Sequence, residues 1–416
     1  MFRRNIHNRI LYFLLLGLAF AIPLFRIISS YIIVLVFLNW LLEGRFLQKF
    51  QDIRHSHHRL DTLLFSGLFF VYLAGLMYTD NMQEGLFSLQ VKLPMFIFPL
   101  VFSTLQYDYW KGNRTVCILL AFVAGNVLAS LLNLVWAAIQ YASTHIPESF
   151  YYIRLSMFHH PSYSAMFLCL AEAILIWLLI RDGRRIKTGG KILVLALILF
   201  FSIMVILLSS KAGIISLILI FFLTVSYIIF IRRKYVFGIY LLLVISLVFI
   251  ALLNFFPYSV MRFDSTRDIM QDESRITTDT REGTVERILI WKYSAELINR
   301  NFFFGTGTGD VTDALIDLYR KKDLAEALDK KLNAHNQYIQ TFLALGLAGI
   351  TVLLLTLILP GIFSVRKRGF IYFCFLMIIG FNMLVESMLE RQAGVVFYSF
   401  FNAFLFAVFH AGEKEL

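Results

Sequence analysis

Long apolar runs, separated by short basic segments, make up most of this chain of 416 residues. Helical runs of roughly 17–25 apolar residues match the thickness of the hydrocarbon layer of a membrane. The runs are centred near residues 17, 35, 70, 95, 127, 171, 199, 221, 245, 347, 378 and 401. We therefore expect an all-α integral membrane protein with about twelve transmembrane helices.

One polar segment, residues 255–335, interrupts this pattern late in the chain. It leaves a membrane part of about nine spans over residues 1–254 and another of about three spans over residues 336–416. Within it, the stretch from Phe263 to Arg281 has no periodicity and predicts an irregular excursion. We expect residues 255–335 to form one large loop outside the membrane.

The second half of this loop has a helical pattern. Apolar residues recur every three or four positions at Ile288, Trp291, Ala295 and Ile298, which predicts an amphipathic helix. Arg287 precedes Trp291 by four residues, so we expect the indole to pack beside the guanidinium stem. This helix would carry both residues outside the membrane.

A glycine-rich stretch follows, with Gly305, Gly307 and Gly309 ahead of Asp310. A nucleotide-binding cradle would need a preceding strand in a βαβ unit, which the apolar pattern does not provide. The stretch instead predicts a tight turn in which Asp310 caps the helix that follows.

Charged residues are few and unevenly placed. They make up 16% of the chain, against about a quarter in a typical soluble domain, and the mean hydropathy is +0.74. The net charge of +11 lies mainly in alternate short connections, which the positive-inside rule assigns to the cytoplasm. Both termini are then cytoplasmic and the large loop faces the opposite side. Because these charges flank spans, they do not indicate nucleic-acid binding.

Outside the two termini, these cytoplasmic connections and the large loop, five further cations remain: Arg26, Lys92, Arg154, Lys211 and Arg391. A charged group near or inside a span is costly unless it is partnered or faces a wet cavity. For Arg26 we expect snorkelling to the outer headgroups. The other four predict a cationic outer surface that suits an anionic group such as phosphate or pyrophosphate.

Two outer connections add polar residues. His159 and His160 are adjacent, as metal ligands can be, but no third ligand is suitably spaced, and a polar loop lining a cavity is favoured over a metal site. Glu386 and Glu390 would share one face of a helix, with Arg391 as a partner for one of them. Structural ion pairing and a functional role both remain open for these acids.

His335 stands where the loop re-enters the membrane. Histidine titrates near neutral pH and can act as a general base on a hydroxyl group. A lone histidine would more often be structural. Its position at the level of a cationic surface favours a functional role.

These residues resemble the O-antigen ligase family, which shares a fold with O-antigen polymerases. The resemblance rests on Arg287 with Trp291, on the Gly305–Gly307 turn, and on His335-Asn336-Gln337-Tyr338 before a glycine-containing apolar run. The stretch Ser209-Ser210-Lys211-Ala212-Gly213 is similar to the family's Ser-Arg-Gly segment, with lysine in place of the arginine. The twelve-span layout extends the resemblance over nearly the whole chain.

The resemblance implies a glycosyltransferase of the bacterial inner membrane that uses no metal ion or other cofactor. A glycan on undecaprenyl pyrophosphate would pass, with inversion, to a lipid A-core hydroxyl on the periplasmic side. Arg287 and His335 would be catalytic, with His335 acting either as the base or on the pyrophosphate. The pyrophosphate would be bound by Lys211, Arg154, Lys92 and Arg391. Supporting roles would fall to Trp291, Asn336, Tyr338, His160 and Glu386.

Two alternatives remain. A polymerase would use the same donor and a second lipid-linked glycan as acceptor. A twelve-span transporter would contact membrane lipids in the same way, but transporters of that size usually contain two related halves, and the chain has no visible internal repeat.

Overall fold

A computed structural model describes residues 2–55, 58–110, 113–256 and 283–410. Every regular element within these residues is helical, which confirms the all-α prediction. The irregular excursion predicted from Phe263 to Arg281 lies outside the described residues.

The first half of the chain forms twelve helices that precede the large loop. Their bounds are α1 Phe2–Ala21, α2 Arg26–Glu43, α3 Phe46–His55, α4 His58–Gly75, α5 Met82–Lys92, α6 Pro94–Ser103, α7 Arg114–Thr144, α8 Tyr152–Leu155, α9 Pro161–Asp182, α10 Thr188–Leu207, α11 Lys211–Ser226 and α12 Tyr235–Phe255. A π-helical turn extends α11 to Ile231.

The remaining helices form the described part of the loop and the C-terminal membrane part. Their bounds are α13 Gly283–Arg300, α14 Val311–Lys321, α15 Ala325–Asp329, α16 Gln337–Lys367, α17 Phe370–Val385 and α18 Gln392–His410. All twelve predicted apolar runs fall on helices. Nine spans among the described residues, counting α5 with α6 as one, are long and apolar enough to cross a membrane. The predicted count of twelve is therefore not confirmed, because α1 is rich in arginine and α4 and α17 have shorter apolar parts.

The centre of the bundle is built from α9 and α18, which are mostly buried, whereas α12 has one buried residue, Gly238. Phenylalanine rings fill the space between the central helices. The ring centroids of Phe122 and Phe401 are 4.7 Å apart, and those of Phe167 and Phe397 are 4.9 Å apart. Edge-to-face and tilted rings pack closely, which matters inside a membrane because apolar burial alone does not favour one helix over lipid.

The loop helix α13 confirms the predicted helix, but its buried side differs from the predicted apolar stripe. The buried residues are Glu286, Ile290 and Ser294, spaced four apart, whereas Ala295 is exposed. The carboxyl group of Glu286 is buried close to Glu326 of α15, so the fold of the loop, and not apolar spacing alone, sets which side of this helix is buried.

The glycine-rich stretch forms the predicted turn, and this turn docks against a break in α16. Gly346 interrupts that helix with a φ of +59°. The exposed backbone groups bond to the turn: the Thr306 N–H donates to the Leu343 carbonyl at 2.7 Å, and the Leu347 N–H donates to the Phe302 carbonyl at 2.9 Å. The turn therefore fixes the end of the loop against the C-terminal membrane part.

Asp310 occupies the position before α14, as predicted, but the prediction that its side chain caps this helix is wrong. Its carboxylate accepts hydrogen bonds from the backbone N–H groups of Asp80 and Asn81, at 3.0 and 2.7 Å. It has no capping bond within its own helix. Asp310 therefore joins the loop to the start of α5, more than 200 residues earlier.

Gly346→Ala should destabilise the protein by about 1–3 kcal/mol, the usual cost of a backbone conformation that is nearly confined to glycine. Gly346 has such a conformation, with a φ of +59° and a ψ of −151°, and the Cβ of alanine would also collide with the Phe303 carbonyl. Gly361→Ala is the matched control in the same helix, since a Cβ there meets open space. Thermal unfolding in detergent should show a lower midpoint for the first variant alone. Equal midpoints for the two variants would contradict this role of Gly346.

Candidate active site

Glu386 lies at the centre of a polar cluster where the loop meets the membrane helices. Helix α17 ends at Val385, and Glu386 leaves it in an extended conformation. Its Oε1 accepts a hydrogen bond from Arg287 Nη2 at 2.9 Å, and its Oε2 lies 3.4 Å from His335 Nδ1. The expectation that Glu386 and Glu390 share a helical face is wrong, because the helix stops before either acid.

The environment of Glu386 favours its ionised form. Burial alone would raise the pKa of this carboxyl group. The hydrogen bond from His335 and the positive charges of Arg287, His335 and His160 outweigh burial and lower the pKa below its ordinary value. An ionised carboxylate only accepts hydrogen bonds, so His335 Nδ1 must be the donor. His335 Nε2 is then left, in the neutral ring, as the nitrogen that can accept a proton.

Arg287 extends from α13 toward Glu386 and remains partly accessible. Its side chain is 31% exposed, and its Nη2 is bonded to Glu386. A guanidinium group has five N–H donors. The ion pair uses one of them in the structure, so Arg287 retains donors for a further anion while Glu386 fixes its direction.

Trp291 lies one helical turn after Arg287 and bonds to the backbone beside His335. Its indole N–H donates to the Ala334 carbonyl at 2.8 Å. His335 itself has a φ of +46°, in the left-handed region that few side chains adopt. This hydrogen bond, together with the 3.0 Å bond from the His335 N–H to Asn333 Oδ1, holds the unusual turn in place. Trp291 thus positions the histidine.

The residues after His335 bind the segment that carries Glu386. Asn336 caps α16 by accepting hydrogen bonds from the N–H groups of Tyr338 and Ile339. The Asn336 N–H donates to Ser387 Oγ at 3.2 Å, one residue beyond Glu386. The Tyr338 hydroxyl group donates to the Gly380 carbonyl at 2.9 Å. These contacts fix the position of His335 relative to Glu386.

Lys92 is buried and paired. Its Nζ donates to Glu390 Oε2 at 3.1 Å and to Ser88 Oγ at 2.8 Å, and it lies 4.5 Å from the centre of the Tyr72 ring. Glu390 therefore neutralises this lysine inside the protein. The prediction that Lys92 binds pyrophosphate stays a prediction, and the structure gives the lysine an internal partner.

Arg391 is exposed beside the cluster. The predicted pairing with Glu386 or Glu390 is wrong for the described residues, because Arg287 and Lys92 pair with these acids. The charges of Glu386, Glu390 and Arg391 all act on Tyr163, at the start of α9. Arg391 is therefore a cation at the site without an ion-pair partner in the part of the chain that the structure describes.

The two adjacent histidines, His159 and His160, lie in different environments. His159 is buried, and its Nε2 lies 3.1 Å from the Ile22 carbonyl. Burial and the charge of Arg26 lower its pKa to about 4, so it is neutral at pH 7. His160 is exposed, caps α9 and acts electrostatically on Glu386. No group of three or more potential metal ligands occurs among the described residues.

Two further predicted pyrophosphate ligands lie on α8 and α11. Arg154 is exposed on the short helix α8. Lys211 is the first residue of α11, next to Ser210, whose hydroxyl group lies 3.5 Å from that of Ser162 on α9. Their assignment to pyrophosphate stays a prediction.

Glu286 and Ser387 belong to the cluster but were not predicted to do so. Glu286 is buried, and its pKa is raised by burial and by the neighbouring charge of Glu326. It also lies close enough to Arg287 and His335 to act on them electrostatically. Its position next to Arg287 in the sequence was the only available signal. Ser387 gave none, because its role depends on a segment 51 residues away.

Residues 194–354 match the family model described as O-antigen ligase, which confirms the resemblance drawn from the motifs. The matched range contains Lys211, Arg287, Trp291 and His335 but ends before Glu386. No curated protein matches the chain. The apolar helices indicate a multi-pass membrane protein, and the match over residues 194–354 supports a function of the O-antigen ligase or polymerase type in general.

Proposed function

We propose that this protein transfers a glycan from undecaprenyl pyrophosphate to a hydroxyl group of lipid A-core, at the periplasmic face of the bacterial inner membrane. The observation that carries the proposal is the Arg287–Glu386–His335 cluster. It places a loop cation and a histidine within hydrogen-bonding reach of the same membrane-side carboxylate. The O-antigen ligase match over residues 194–354 supports the same chemistry.

The acceptor hydroxyl group is activated by His335. Its Nε2 takes the hydroxyl proton, while Glu386 holds Nδ1 and stabilises the imidazolium ion that forms. The acceptor oxygen bonds to the anomeric carbon, and the bond from that carbon to the pyrophosphate oxygen breaks. The lipid pyrophosphate leaves with the electron pair. A single displacement of this kind inverts the anomeric configuration.

The departing pyrophosphate is stabilised by cations. Arg287 offers its remaining N–H donors, and exposed Arg391 offers a charge that no acid among the described residues neutralises. Charge-assisted hydrogen bonds to phosphate oxygens are short and strong, and they act where charge develops. Lys211 and Arg154 extend this cationic surface at the same end of the bundle. Lys92 contributes indirectly, by fixing Glu390 beside Arg391.

A strain lacking this protein tests the function. Its surface glycan and its lipid-linked intermediates should be compared after complementation with the natural protein, with Arg287→Ala, or with Arg300→Ala. Arg300 is an exposed arginine on the same helix and serves as the matched control. We expect Arg287→Ala to leave unmodified lipid A-core and accumulated lipid-linked polymer, and Arg300→Ala to restore transfer.

Two results would contradict the proposal. Core carrying a single repeat unit in the deletion strain would indicate a polymerase. Normal transfer by a well-expressed Arg287→Ala protein would remove Arg287 from the mechanism. Membrane insertion of each variant should be measured in parallel, so that a low amount of protein is not mistaken for a loss of transferase activity.

A further inference from the structure

A cavity of about 1450 Å³ lies between α9, α10, α11 and α12, far from the Glu386 cluster. Helix α9 separates the two places. His160, which acts on Glu386, caps its first turn, while Arg181 and Asp182 at its last turn line the cavity. Twenty-two residues of helix span about 33 Å. The cavity therefore belongs to the opposite end of the bundle and has no part in the proposed transfer.

Three helices present apolar stripes to this space. On α12 the stripe runs through Leu241, Val244, Val248 and Leu252, at helical spacing. The facing stripes on α10 and α11 are also mostly apolar. Gly238, near one end, is the one buried residue of α12, and the stripe that lines the cavity is only partly covered. An apolar cavity of this size leaves its lining side chains without packing partners on one side unless another molecule fills it.

The mouth of the cavity is strongly basic. Lining it are Arg184, Arg185, Lys191, Arg232 and Lys234. None of these five forms an ion pair with an acid in the described ranges, whereas Arg181 and Asp182 pair with each other. Their positive charge calls for an anion at the rim, and a phosphate group is the anion that clustered lysine and arginine bind best.

The depth of the cavity indicates the length of its occupant. From Phe237 to Leu252 the lining stripe of α12 extends about 22 Å. One leaflet is half of a hydrocarbon layer of about 30 Å, or about 15 Å. The cavity is therefore deep enough for the acyl chains of a bilayer lipid, which span one leaflet. A long polyprenyl chain would exceed this depth.

We infer that the cavity binds an anionic glycerophospholipid, with its acyl chains against α10, α11 and α12 and its phosphate group at the basic rim. A neutral lipid would fill the apolar part but leave the rim charges without a counter-ion. The bound lipid completes the packing of α12, whose stripe toward the cavity the protein alone covers only in part.

Native mass spectrometry of the detergent-purified protein tests this site, with phosphatidylglycerol and phosphatidylcholine as probes. We expect one phosphatidylglycerol to be retained in preference to phosphatidylcholine. The double variant Lys191→Gln, Lys234→Gln should bind phosphatidylglycerol roughly 25-fold more weakly, as expected for the loss of two cations near a lipid headgroup. The double variant Arg9→Gln, Arg366→Gln removes two exposed cations outside the rim and should bind normally.

A second pair of variants tests the apolar part. Val244→Trp fills the cavity and should abolish retention, whereas Leu243→Trp adds the same side chain to a position that does not line it and should have no effect. Unfolding midpoints should be measured for both. Equal retention by all variants would overturn the inference, as would equal binding of the two lipids. Tighter binding of a polyprenyl phosphate than of phosphatidylglycerol would also overturn it.

Discussion

Replacing His335 with asparagine should slow glycan transfer by about 10²–10⁴-fold, the usual contribution of a general base. Asparagine tolerates the left-handed backbone that His335 adopts, at a φ of +46°, so the turn survives the change. The side chain can no longer accept the hydroxyl proton. The loss should therefore fall on the rate of transfer and not on the folding of the protein.

Purified enzyme with a lipid-linked donor and a lipid A-core acceptor allows this rate to be measured directly. His145→Asn is the matched control, because His145 is an exposed histidine in another connection with a φ of +54°. It should transfer glycan normally. If His335→Asn were as active as His145→Asn, His335 would be a structural residue and the proposed base would have to be sought elsewhere.

Replacing Glu386 with glutamine should cost about 1.5 kcal/mol of stability at neutral pH and also slow transfer. This value is the lower end of the range of stabilisation by hydrogen bonds to charged groups. The lower end applies because Arg287 is partly exposed to solvent. Glutamine can still accept a bond from Arg287, but it carries no charge. It leaves the guanidinium ion without its counter-ion and His335 without the carboxylate that orients Nδ1.

The contribution of Glu386 to stability should depend on pH and should be larger at neutral pH than in acid. Its pKa is lowered in the folded protein, so the stability it contributes is fully present above the ordinary pKa of about 4.5. This contribution is lost as the pH falls through the lowered pKa. Unfolding midpoints of the natural protein and of Glu386→Gln should therefore differ at pH 7 and converge in acid.

An exposed ion pair supplies the comparison for this measurement. Arg320 and Asp317 pair at 3.0 Å with side chains about two-thirds exposed, and such pairs contribute little. Asp317→Asn should therefore leave the midpoint nearly unchanged at every pH. A difference between the natural protein and Glu386→Gln that persisted unchanged into acid would contradict an ionic role for Glu386.

The local elements of this fold could be predicted from the sequence. Apolar length predicts the membrane helices, the three- and four-residue spacing predicts α13, and the glycines predict the turn at Gly305–Gly307. Each of these signals lies within about 20 neighbouring residues. The side of α13 that is buried could not be predicted, because that depends on which helices pack against it.

The partners of the charged residues could not be predicted for the same reason. Lys92 and Glu390 are 298 residues apart, and Arg287 and Glu386 are 99 residues apart. Asp310 looks like a cap for the helix that follows it, yet it caps a distant segment. Sequence periodicity carries no information on such pairings. The sequence therefore predicted Arg287, His335 and Glu386 as site residues, but not that Glu386 bonds to the other two.

The position of Glu386 between the last two helices has a consequence for biogenesis. The ribosome delivers the chain from the N-terminus, so Arg287 and His335 leave it before the residue that joins them. Until α17 has been inserted and Glu386 follows, the guanidinium group has no counter-ion and the histidine no fixed tautomer. A chain that stopped after α16 would hold its loop and most of its membrane helices and still lack an assembled site.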